Sequence, residues 1–362
     1  MIRLAIVGCG GMAGGYHVQQ IQKISDYKVV ALCDIVKEKT ADFRKRFFND
    51  AVEFDDFYKM LQDGPELDAV LLVTPHTVHY LHAKAALEKG INVMCEKPLV
   101  TRSQDAYDLW KTVKRTGKLL AITFQSTYSA EFGHLAQLRD EGKLGQVQNI
   151  SGYVSQGWCK GTKGQWRQEP ALSGGGYIYD TGAHLLNALM WLMNSPVVEV
   201  SCIMDNCGTP VDIRGSASLK FQNGVFGTVT MAGNTPVFRT EIQIFTDSMV
   251  VITDQYGAKL EMYNASGKRI YPHVPEDSRA GAGTPHLNFA DALLRGAPLR
   301  APVRYGVLLS ALMDAMYESA KAGTPVKVKP VPQDIEVDTT PAMKAKAPAK
   351  VKREPLLSGQ RG

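Results

Sequence analysis

The first third of the chain alternates short apolar runs with stretches of helical spacing. Residues 3–7, 29–34, 68–74, 91–95 and 119–124 are rich in Val, Ile, Leu and Ala, and each reads as a buried strand. Between them, residues 78–89 and 104–115 show the three- and four-residue apolar spacing of helices. This alternation predicts crossover units and a parallel, doubly wound sheet covered on both faces. After residue 145 the texture changes. Residues 147–155, 197–204, 215–221, 225–231, 240–245 and 249–254 form successive strand-like runs, several divided by turn residues such as Gln222-Asn223-Gly224. That pattern predicts hairpins in a largely antiparallel sheet. Two helices follow over 285–295 and 305–321. From residue 329 on, Pro, Ala and Lys dominate and the periodicity ends, as in a disordered extension. The expected division is a first domain over 1–124, a second over 125–328 and a basic tail over 329–362.

Composition narrows the function classes. A chain of 362 residues with 44% hydrophobic and 21% charged residues is an ordinary soluble globular protein with room for two domains. No apolar run reaches the roughly 18 residues of a membrane span, so no membrane partner is expected. The apolar start at residues 1–7 leads straight into a glycine motif and reads as a first strand, making a cytoplasmic location the expectation. The net charge of +5 has a local source: residues 342–362 hold six bases and one acid. The body is near neutral, which removes the charge argument for nucleic acid. The six cysteines contain no C-x-x-C pair, and Cys9, Cys33 and Cys95 lie in or beside apolar runs as buried thiols do.

The run Gly8-Cys9-Gly10-Gly11-Met12-Ala13 follows the first strand and opens a helix. In this G-x-G-x-x-A pattern Gly8 permits a tight turn and Gly10 lets the backbone approach a pyrophosphate. Ala13 keeps helix and strand close, and the helix N-terminus faces the anion. The second strand ends at Asp34, where a ribose-binding carboxylate is expected. With no arginine beside it, Asp34 favours NAD over NADP, because a carboxylate repels a 2′-phosphate. Leu72-Val73-Thr74-Pro75-His76-Thr77-Val78-His79 and Glu96-Lys97-Pro98 end two further parallel strands, the edge where open sheets bind ligands. A Lys97 ammonium there would polarise a substrate oxygen; a Glu96–Lys97 surface pair is the plainer alternative. His76, His79 and His82 recur every third residue, yet without a clustered acid or cysteine they do not predict a metal.

The combination of G-x-G-x-x-A, T-P-x-x-x-H, E-K-P and G-G-G-x-x-x-D-x-G-x-H, the last at 174–184, resembles the Gfo/Idh/MocA family of oxidoreductases. The resemblance spans roughly residues 1–328. It implies an N-terminal Rossmann domain and a C-terminal open, mostly antiparallel sheet with helices on one face. It implies hydride transfer between nicotinamide and a carbinol of a sugar or cyclitol, with Lys97, Asp180 and His184 in the catalytic positions. Gly8, Gly10, Gly11, Met12, Ala13, Asp34, Thr74, Pro75, His79, Glu96 and Lys97 would meet the cofactor. An imidazole suits removal of a hydroxyl proton near neutrality, and residues four apart on a helix share a face. The glycines at 174–176 would let substrate and nicotinamide come close. Helix capping by Asp180 and a core role for His184 are the structural alternatives. Trp166 and Arg167 read either as a sugar-binding pair or as core packing beside a surface arginine.

Three departures bear on substrate. The family often continues to D-x-G-x-H-x-x-D, where this chain has Asn187, still a substrate hydrogen-bonding candidate. His76 replaces a common asparagine, and Phe124-Gln125-Ser126-Thr127-Tyr128 lacks a common arginine. Beside the dehydrogenase reading stand a redox-neutral glycoside-cleaving enzyme that oxidises its sugar transiently, and a silent NAD-binding regulator. An open sheet face needs cover, so a homo-oligomer is expected.

Overall fold

The computed structural model describes residues 1–272, 274, 283–331 and 335; the predicted tail lies outside them except for 329–331 and 335. Among the described residues two sheets organise the chain. The first joins β1 (Ile2–Val7), β2 (Tyr27–Cys33), β3 (Val52–Phe54), β4 (Ala69–Leu72), β5 (Asn92–Cys95) and β6 (Leu120–Ile122). All its pairings are parallel, in the order β3-β2-β1-β4-β5-β6. This is the doubly wound dinucleotide-binding order, whose switch point lies between β1 and β4. β4 is buried at all four positions, which is why it reads as an unbroken apolar run. The short β3 escapes prediction because Val52-Glu53-Phe54 is too brief for any period to show.

The second sheet contains β7 (Val147–Ser155), β8 (Val197–Asp205), β9 (Arg214–Phe221), β10 (Phe226–Ala232) and β11 (Arg239–Thr246). It continues through β12 (Met249–Thr253), β13 (Leu260–Asn264), β14 (Arg269–Ile270) and β15 (Val326–Lys327). Its order is β14-β13-β12-β11-β7-β10-β9-β8-β15, antiparallel except for the β7–β10 pair. Burial alternates along β9 and β10, so Ala217, Leu219, Phe221, Val229 and Met231 face inward. The opposite face carries Ile203, Phe226 and Tyr153 in the open. The registers put Ile203, Ser216, Thr230 and Tyr153 in one row across four strands.

The C-terminal helices return to the first sheet. Phe289 and Ala290, on the Pro285–Arg295 helix, join the core of Ile2, Leu4, Ile6 and Leu71 on one of its faces. The Val303–Ala322 helix packs beside the Ser103–Thr116 helix and reaches β8 of the second sheet. Gly306 lets this helix lie against the first sheet as well, since a Cβ there would overlap Leu99 and crowd Ile122 of β6. The two sheets therefore share one continuous apolar core on the other face. Phe289→Ala should cost about 3–5 kcal/mol of unfolding free energy. Urea denaturation measures it, and a loss under about 1 kcal/mol would detach this helix from the first core.

Candidate active site

Lys97, Asp180 and His184 are each delivered by the end of a buried element. Lys97 follows β5, and its ammonium lies 2.5 Å from Asp180 Oδ1 and 3.1 Å from the Asp180 carbonyl. Asp180 ends the short Tyr177–Asp180 helix. Its Oδ2 accepts from Trp158 Nε1 at 2.8 Å and from Arg167 Nε at 3.1 Å. His76 Nε2 stands 3.9 Å from Oδ1. Burial pushes the Asp180 carboxyl up, but Lys97 and Arg167 outweigh it and hold the group well below the usual carboxylate range. Asp180 is thus an ionised hub of three donors rather than a helix cap, and Glu96–Lys97 is no surface pair, both residues being buried.

His184 lies in the first turn of the Gly182–Met193 helix, buried between the rings of Phe124 and Tyr256 at 6.1 and 5.3 Å. Its Nδ1 has no protein partner, so it is not the carbonyl-bonded core histidine of the alternative reading. Burial, then the Lys97 charge, holds its pKa at about 3. His184 is therefore a neutral imidazole at physiological pH. One turn on, Asn187 is fully buried with neither amide atom partnered. Buried polar atoms left open in this way mark places built for a ligand or water.

The cleft itself is lined by Met12, Val73, Thr74, His76, Glu96, Lys97, Trp166, Arg167 and Asp180. It brings together the glycine motif, both strand-end loops and the Trp166-Arg167 pair. The Arg167 guanidinium lies over Trp166 at 4.6 Å, and the indole meets His76 edge-on at 4.8 Å. At the cofactor end, Gly8 has φ +93 and a Cβ there would stand 2.5 Å from the Val73 carbonyl oxygen. Gly10 and Gly11 face open space, the room a pyrophosphate needs, while Ala13 is buried. Asp34 takes the Cys9 N–H at 2.8 Å and the Val36 N–H at 2.9 Å, which fixes its carboxylate beside the glycine turn. These residues fit a dinucleotide.

Two expectations change. His79 was expected at the cofactor, but it is fully buried with Nδ1 2.9 Å from the Pro98 carbonyl and Nε2 2.8 Å from the Thr74 carbonyl. It ties the two strand-end loops together; Pro75 only precedes the short turn His76–Val78. The glycine run does not open the site to ligands. Gly176 packs so tightly on Asp212 that a Cβ would overlap its carbonyl, and Gly174 and Gly175 abut Thr101 and Tyr317. The buried Asp212 carboxylate accepts from Gly176 N at 2.7 Å, Ile178 N at 2.8 Å and the Tyr317 hydroxyl. This clamp aims the turn that carries Asp180. Sequence reasoning missed Asp212, Tyr317, Trp158 and Tyr256, none of which lies in a recognisable motif. His82, meanwhile, is half-buried with its ring tilted against Phe57 at 4.2 Å.

His76, His184 and His286 are each held at about 3, burial being the first cause. All three are neutral in the folded chain, whereas the unfolded chain protonates them below about 6.5. Stability should fall as pH drops from about 6.5 toward 3, by up to about 4 kcal/mol per pH unit for the three together. Urea unfolding across that window measures this, and a flat response between about pH 6.5 and 5 would contradict it.

Among the described residues no helix is long and apolar enough to cross a membrane. Residues 2–124 match the model of the GFO_IDH_MocA oxidoreductase family, NAD-binding Rossmann fold, and residues 132–251 match the GFO/IDH/MocA C-terminal domain. The D-glucoside 3-dehydrogenase of Escherichia coli (strain K12) is 26% identical over 356 residues, 90% of this chain and 97% of that protein. An inositol 2-dehydrogenase of Salmonella typhimurium is 26% identical over 195 residues, 53% of this chain and 55% of that one. The WlbA dehydrogenase from Bordetella pertussis, solved in complex with NADH and UDP-GlcNAcA, has a TM-score of 0.79 at 23% identity, covering 91% of this chain and 98% of that one. That last likeness speaks for the fold alone. The two matched domains, in this order and on these two sheets, make the chain a member of the Gfo/Idh/MocA family of NAD-binding oxidoreductases.

Proposed function

We propose that the protein is a dehydrogenase that oxidises a secondary hydroxyl of a sugar or cyclitol, with NAD preferred over NADP. The observation that carries this reading is the buried Lys97–Asp180 pair lining the same cleft as Met12 of the glycine motif, with neutral His184 nearby. The names of the glucoside and inositol dehydrogenases among its relatives support the substrate class. Asp34, fixed at the end of β2, supports NAD.

Bound NAD supplies the hydride acceptor. The chain's own residues handle the proton and the charge. Neutral His184 accepts the hydroxyl proton on its imidazole. The Lys97 ammonium, fixed by both Asp180 oxygens that face it, stabilises the alkoxide as it forms. Asp180 orients that ammonium and does not itself take the proton. Trp166 in the cleft lining offers an aromatic surface to the sugar ring, Tyr256 packs against His184, and Asn187 offers an unpartnered amide to a hydroxyl.

The test is NADH formation by purified protein with a panel of sugars, glycosides and inositols, run in parallel with NADP. Sustained NADH production that Lys97→Met lowers about 10²–10³-fold, with NAD affinity retained, is the expected result. A rise that stops at one equivalent of enzyme would replace net oxidation by a redox-neutral cycle. Full turnover in Lys97→Met would overturn the mechanism.

Two further readings accompany this one. We infer a cytoplasmic location from six cysteines that are all free thiols. We also infer that two copies meet through the second sheet's open face, where Ile203, Phe226 and Tyr153 are 77%, 57% and 41% exposed. Phe226→Glu should lower the mass measured by light scattering; an unchanged mass, or a monomeric parent protein, would refute this interface.

A further inference from the structure

Beneath the cleft runs a set of titratable side chains that the reaction above does not use. His17, last residue of the Ala13–His17 turn, is fully buried between two partners. Its Nε2 lies 2.9 Å from Glu96 Oε1, and its Nδ1 lies 2.9 Å from His286 Nε2. Glu96 Oε1 also accepts from the Thr123 hydroxyl at 2.5 Å, while Oε2 accepts from the Lys97 backbone N–H at 3.1 Å. Both carboxylate oxygens are therefore engaged. His286 opens the Pro285–Arg295 helix, and its carbonyl accepts from the Tyr27 hydroxyl at 2.6 Å. Tyr16 meets both imidazoles edge-on at 5.2 and 5.7 Å.

The arrangement resolves a competition between two carboxylates for one ammonium. Glu96 immediately precedes Lys97 and lines the same cleft as Asp180. The Lys97 charge acts on both carboxylates, and a charge-assisted hydrogen bond to either would be a strong one. Lys97 pairs with Asp180, and Glu96 pairs with His17. Since a carboxylate accepts and does not donate, His17 Nε2 carries the hydrogen in this contact. His17 Nδ1 then accepts from His286 when the ring is neutral and donates to it when the ring is charged.

We propose that His17 is a positioning residue of the active site: its bond to Glu96 keeps that carboxylate turned from the Lys97 ammonium, which is thereby reserved for Asp180 and the reacting oxygen. His286 fixes the ring so that Nε2 points at Glu96. What Lys97 does in this statement rests on the dehydrogenase reading; the contacts do not.

Burial pushes Glu96 up, but the hydrogen bond and charge of His17, then Lys97 and Thr123, hold it at about 2. The titratable groups that face it are His17, His286, Lys97, Cys95, His79, His184 and Tyr16. Loss of His17 removes its main donor and leaves Glu96 two exits: rotation onto Lys97, or protonation in its buried site.

The test compares His17→Leu, which cannot donate, with His17→Gln, whose amide can, in the full chain saturated with NAD. His17→Leu should lower kcat about tenfold or more while KM and NAD affinity, the latter by fluorescence titration, stay within about threefold. Its kcat, normalised to the folded fraction at each pH, should also gain a fall toward acid below about pH 6 that the parent lacks. His17→Gln should restore most of the rate. In the cofactor-free protein, His17→Leu should show near pH 5 a protonated-carboxyl infrared band that Glu96→Gln removes and the parent lacks. His286→Leu should show the same pattern at smaller size, and it carries the test if His17→Leu does not fold. A folded His17→Leu with unchanged kcat and no new carboxyl band overturns the proposal, as does equal loss in the Leu and Gln variants. The infrared readout needs no substrate, so failure of every sugar assay would count against the dehydrogenase reading alone.

Discussion

The contact on which the site depends is the buried pair of Lys97 and Asp180. Lys97 stands at the end of a strand of the first sheet, and Asp180 on a turn packed under the second. Neither charge has bulk water to fall back on, so each needs the other. Desolvation makes such a pair a poor source of stability, and removing one partner leaves an uncompensated charge that costs about 3–5 kcal/mol. Here the penalty is limited by completing the shell: Trp158 and Arg167 satisfy the second Asp180 oxygen. The Asp212 clamp then fixes the turn from behind. The pair exists only when both sheets are in place, which makes the geometry of the cleft a property of the whole molecule.

Much of this was legible in the sequence, for a physical reason. Strands buried on both faces read as apolar runs, and a dinucleotide turn needs small residues at set spacings, so the first sheet and its glycine motif are written locally. The helix over Pro285–Arg295 has its predicted bounds because proline opens it and glycine follows it. Lys97, Asp180 and His184 are conspicuous because they sit in short motifs at element ends. What was not legible depends on partners far away in the chain. His17 and His286 are 269 positions apart, and Asp212 lies 36 residues from the glycine it holds. No spacing rule marks such residues. The glycine run was misread for the same reason: its lack of side chains answers to Asp212, Thr101 and Tyr317 rather than to a ligand, and only the packing shows this.

Histidine illustrates how little a residue type says by itself. His184 offers an unpartnered nitrogen, His79 ties two backbone loops, His82 tilts against Phe57, and His17 orders a carboxylate. Four imidazoles have four jobs, set by burial and by the number of acceptors within reach.

The return of the Pro285–Arg295 helix to the first sheet has a consequence for how the chain is made. Phe289 and Ala290 complete an apolar layer whose other members lie mostly in the first 121 residues. On a ribosome, those early strands emerge long before the segment that covers them. The nucleotide-binding domain must therefore wait, with part of one face bare, while β7 to β14 of the second sheet are synthesised. Domain-by-domain folding, usual for chains of this size, gives way to a late joint closure. Until that closure the exposed layer is a natural site for a chaperone to hold.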